Sequence, residues 1–101
     1  TIEITAGNAS LDKIGVCRNG AWFLDLNGNR VWDTGDSLSF FGIPGDMPAV
    51  GDWDGNGKDE LGILRNGAWF LDLNGNRVWD TGDSLSFFGI TGDKPIAGNW
   101  N

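Results

Sequence analysis

The stretch Trp22-Phe23-Leu24-Asp25-Leu26-Asn27-Gly28-Asn29-Arg30 returns as Trp69-Phe70-Leu71-Asp72-Leu73-Asn74-Gly75-Asn76-Arg77, an offset of 47 residues from 22 to 69. Working outward, Arg18 to Ile43 matches Arg65 to Ile90 without a change. Before that block the drift is conservative: Ile14 becomes Leu61, Val16 becomes Ile63 and Cys17 becomes Leu64. After it, Asp52-Trp53-Asp54 returns as Asn99-Trp100-Asn101. Self-similarity at a fixed period marks a repeat architecture. We read residues 1–101 as a single module with repeat 1 over 4–50, repeat 2 over 51–97 and a closing strand over 94–101.

Each period reads as four strands. In repeat 2 these are Pro48 to Trp53, Leu61 to Arg65, Ala68 to Leu73, and an irregular fourth from Val78-Trp79 to Phe88. Asn66-Gly67 between the second and third strands is the strongest short-range hairpin signal, and Asn74-Gly75 is another. No stretch sustains apolar residues at i, i+3, i+4 and i+7, so no helix is expected. A four-stranded unit of this length fits a blade of a β-propeller. The fold class is therefore all-β: two four-stranded antiparallel propeller blades per chain.

Blades are twisted sheets covered on both faces by their neighbours. Trp22, Leu24 and Leu26 alternate with Ala21 and Phe23, so both faces of the third strand carry apolar groups. Two blades alone would leave two apolar faces in water, which monomers rarely do. The chain opens at a second-strand position and closes on a lone first strand, Lys94 to Trp100, so one copy can complete the next. The expected partner is the chain itself, with two to four copies supplying roughly four to eight blades.

Composition narrows function. Fourteen acidic against seven basic residues give a net charge of −7, which argues against nucleic acid and an anionic membrane surface. The apolar runs are too short for membrane insertion. There is no His and no nucleophile–base pairing, so an enzyme is not expected. The lone Cys17 reads as a small buried apolar residue.

The sharpest chemical motif is Asp52-Trp53-Asp54-Gly55-Asn56-Gly57-Lys58-Asp59-Glu60. Side-chain oxygens alternate at Asp52, Asp54 and Asn56, the Lys58 carbonyl falls where a backbone ligand belongs, and Glu60 can close the site. That order suits a hard, flexible cation such as Ca²⁺ better than Mg²⁺. The competing reading is a purely structural Asx/Gly turn. A looser pattern, Asp25, Asn27, Asn29, Asp33 and Asp36, repeated as Asp72, Asn74, Asn76, Asp80 and Asp83, echoes EF-hand spacing. Arg30 stands where that loop needs glycine, and the same residues read as a hairpin turn.

Asp52 to Ile63 resembles the loop and following strand of FG-GAP and VCBS-type propeller repeats, including those of integrin α-subunits. The resemblance covers both repeats. It implies a Ca²⁺ loop between the first and second strands of a blade, with Asp52, Asp54, Asn56 and Glu60 as side-chain ligands and Lys58 as a carbonyl ligand. Glu60 departs from the Asp usual at that place, with Asp59 beside it. The resemblance implies an extracellular or cell-surface module for adhesion, binding or scaffolding, with a surface-protein ligand. A second expectation is a carbohydrate-binding lectin with one site per blade. Six tryptophans invite it, and Trp32 and Trp79, near polar loops, are its ligand-contact candidates. A third is a self-assembling propeller fragment with no ligand.

Overall fold

A computed structural model of the chain describes residues 12–100. It is all-β, with seven strands: β1 Gly15–Arg18, β2 Ala21–Leu24, β3 Ser37–Phe40, β4 Met47–Gly51, β5 Glu60–Arg65, β6 Ala68–Leu71 and β7 Ser84–Phe87. They form two antiparallel sheets, β1-β2-β3 and β4-β5-β6-β7, each laid out in chain order. The described residues contain no helix, hence none long and apolar enough to cross a membrane.

The repeat is reproduced pair by pair. Cys17 faces Trp22, which faces Ser39; in the second sheet Leu64 faces Trp69, which faces Ser86. The β5–β6 connection is the two-residue hairpin its Asn-Gly pair predicts, with φ of 51° at Asn66 and 82° at Gly67. Both central residues at positive φ match the right-handed twist of the flanking strands. A Cβ on Gly67 would sit 2.6 Å from the Gly89 carbonyl oxygen, so glycine is required twice over.

Asn74-Gly75 behaves differently from expectation. It sits in a long loop between β6 and β7, where Gly75 and Arg77, not Asn74, take positive φ. The carboxylate of Asp72 at the loop's start accepts from the Arg77 amide, which draws the chain into a wide turn. Val78 and Trp79 fall in this loop rather than in the fourth strand. Residues 94–100 carry no strand pairing among the described residues, and the first sheet there has three strands, not four.

Alternation along the strands gives each sheet two faces. The two sheets stack so that Trp22 and Phe41 of the first meet Leu61 and Ile63 of the second, with Cys17, Leu24 and Phe70 packed around them. Trp79 closes this seam edge-on, its ring 6.2 Å from Phe41 and 5.3 Å from Phe70. Arg77 reaches across to the Ser37 hydroxyl. The buried apolar core is largely this seam, so each repeat completes its core only against its neighbour.

Candidate metal centre

The loop 52–59 leaves β4 and re-enters the sheet at β5, whose first residue is Glu60. Two glycines at positive φ, Gly55 at 78° and Gly57 at 91°, let it curl without a steric penalty. The curl points oxygens inward. One carboxylate oxygen from each of Asp52, Asp54 and Glu60 lies within 4.8 Å of the other two. Asp52 and Asp54 are exposed, whereas Glu60 is only 5% exposed.

Backbone amides hold the loop in shape. Asp52 accepts from the N–H groups of Asn56 at 3.0 Å and Gly57 at 2.8 Å. Asp54 also accepts from Asn56 N–H, and the Asn56 side-chain oxygen accepts from Lys58 N–H. Trp53 fixes the other end: its amide donates to Glu60 Oε1 and its indole N–H to the Leu61 carbonyl, both at 2.9 Å. Its ring lies over Gly51 and Gly62, where a Cβ would meet it at 2.6 Å and 3.1 Å.

The electrostatics are those of a site short of positive charge. Burial pushes the Glu60 carboxyl above its usual range; the Trp53 amide opposes this, and the nearby Asp54 and Asp52 carboxylates push it further. The Gly57 amide leads the donors that hold Asp52 below the usual Asp range, against the cost of desolvation. An oxygen-rich group of three acids, one buried at the start of the inner strand β5, could hold a hard cation.

The other two acidic loops are built differently. In the first, Asp25 accepts from Gly28 and Arg30 amides, and Asp36 from Leu26 and Asp33 amides. Asn27 and Asn29 turn their NH₂ groups onto Asp33. In the second, Asp83 accepts from Leu73 and Asp80 amides, while Asn74 and Asn76 donate to Asp80. The oxygens of Asp25, Asn27, Asn29, Asp33 and Asp36, and of Asp72, Asn74, Asn76, Asp80 and Asp83, are thus largely engaged with protein donors around a turn. Asp72 is fully buried, and its Oδ1 has no hydrogen-bond partner. Burial raises the Asp72 carboxyl above its usual range, against the Arg77 amide and with the help of Asp83.

Trp32 and Trp79 are about half exposed and each packs edge-on against a phenylalanine, Phe23 and Phe70 respectively. Cys17 is half-buried, and burial pushes its thiol up, away from the reactive thiolate. Arg65 grips Asp46 with a two-pronged fork, Nε and Nη2 each 2.7 Å from a carboxylate oxygen. The Asp46 side chain is 4% exposed. Burial penalises its charge, but Arg65 and the Ile43 amide outweigh that and hold the carboxyl below the usual range. Trp53 leaves a signal in the sequence, since Gly51 and Gly62, the two positions its ring crosses, both lack a side chain.

Compared with known proteins, the chain matches no family model, no curated protein and no solved structure.

Proposed function

We propose that the chain is a calcium-stabilised β-propeller repeat module, working as an extracellular scaffold or binding unit rather than as a catalyst. The observation that carries this reading is the convergence of Asp52, Asp54 and Glu60 at the β4–β5 turn. Calcium would be held there by these three residues, with Asn56 and the Lys58 carbonyl completing the set. Bound, the ion supplies positive charge that offsets the crowded carboxylates and ties the end of β4 to the start of β5. The two stacked sheets, each unable to hide its apolar faces alone, support the propeller reading, with further copies completing a ring. Loops repeated around such a ring would present a multivalent face to a surface protein or a carbohydrate.

Thermal unfolding in calcium, in magnesium and in chelator tests the reading. Calcium at ten times its dissociation constant contributes about 1.4 kcal/mol. For a chain of this size that raises Tm by roughly 5–10 °C. Equal midpoints in calcium and chelator would leave the loop an Asx/Gly turn.

A further inference from the structure

We infer that a second copy of this chain docks head to tail on the first: residues 94–98 of one copy add as a strand beside β1 of the next, and Asp93 forks with the partner's Arg18. The inference rests on reading the two sheets as stacked blades, but not on calcium. Its ground is a comparison of residues at equivalent repeat positions in two settings. Phe41, on the face covered by the second sheet, is 2% exposed; its repeat, Phe88, is 81% exposed. Ile63, on the face that does the covering, is 1% exposed; its counterpart Val16 is 55% exposed. The chain thus shows one formed seam and the two unmatched halves of a second.

The strand arrangement agrees. β4 pairs with β5 from Met47↔Leu64 to Gly51↔Glu60. The corresponding edge of β1 has no strand beside it among the described residues, and neither does the segment 94–98, which repeats β4. The same register places the partner's Cys17 opposite Lys94 and brings the partner's Arg18 to Asp93. Asp93 already accepts from the Ile90 amide, as Asp46 accepts from Ile43. The Arg65 fork on Asp46 is the contact that, among the described residues, Arg18 and Asp93 do not make with each other. The Leu61 carbonyl accepts from both Asp72 N–H and the Trp53 indole, whereas its counterpart on Ile14 accepts from Asp25 N–H. Trp100 repeats Trp53 and stands 72% exposed, available to supply the second donor to the partner's Ile14. An isologous contact would pair like faces; this one pairs unlike faces and propagates until it closes.

Charge exchange tests it on the full chain, by light scattering in calcium and again in chelator. Wild type is expected at two, three or four times the chain mass. Arg18→Asp and Asp93→Arg, each alone, are expected to weaken association by roughly tenfold or more, since like charges then meet at the seam. Combining both changes in one chain is expected to restore the wild-type mass, and mixing the two variants in equal amounts to restore it where the ring holds an even number of copies, since the two must then alternate. That restoration cannot come from a misfolded variant, and far-ultraviolet circular dichroism checks each single change. A wild type that stays monomeric, or association untouched by either reversal, would overturn the inference. If assembly follows this pattern equally in chelator, the seam stands whether or not the metal loop does.

Discussion

The seam between the two sheets can be weighed by a double-mutant cycle on Phe41 and Ile63. Both belong to the one buried cluster that joins the sheets, and a Cβ on Gly42, next to Phe41, would already lie 3.3 Å from Ile63 Cγ2. Ile63→Ala removes three carbons from a site that is 1% exposed. At about 0.8 kcal/mol per buried carbon the transfer loss is about 2.4 kcal/mol. The aromatic rings of Trp22 and Phe41 cannot collapse fully into the gap, so the total falls at about 3–4 kcal/mol. Phe41→Ala costs about 3–5 kcal/mol by the same reasoning. Because each mutation empties the same space, the double variant should lose less than the sum, with a coupling of roughly 1–2 kcal/mol. Urea unfolding followed by tryptophan fluorescence reads all three values at one protein concentration. Strict additivity would refute the packing of one sheet on the other.

Two further outcomes follow from the geometry. Asp46→Asn should lower stability at neutral pH and flatten its dependence on acid. The folded carboxyl lies below its ordinary range, so its contribution is present above the usual Asp pKa and is lost as pH falls through the lowered value. Acid titrations of the two proteins should converge at the low end, and parallel curves would count against the Arg65 fork. Gly67→Ala should destabilise by more than about 2 kcal/mol, combining the left-handed penalty with the clash on the Gly89 carbonyl. A thermal midpoint within about 2 °C of wild type, well short of the shift such a loss gives a domain of this size, would contradict the turn geometry.

Much of the fold was legible in the sequence because the repeat displays its own punctuation. Asn66-Gly67 marked a hairpin, and the alternation around Trp69 marked a strand with two apolar faces. The identical-looking Asn74-Gly75 misled for a physical reason. A buried aspartate at 72 captures the Arg77 amide and opens a wide loop, and dipeptide rules carry no information about such a tertiary anchor. The metal loop was visible as alternating oxygens. The burial of Glu60 at the start of the inner strand β5 was not, since it follows from the pairing of β5 with strands on both sides. The Arg65–Asp46 fork was hidden too, because its partners stand 19 residues apart and meet only once β4 lies beside β5.

Calorimetric titration of calcium into the chain asks whether the 52–60 loop holds the ion. One ion per chain is expected: among the described residues only the 52–60 loop combines the donor set, and Asn99 and Lys13 stand where Asp52 and Glu60 stand one repeat away. Asp52→Asn combined with Glu60→Gln should abolish the heat. No binding by wild type, or binding that survives the double substitution, would contradict it.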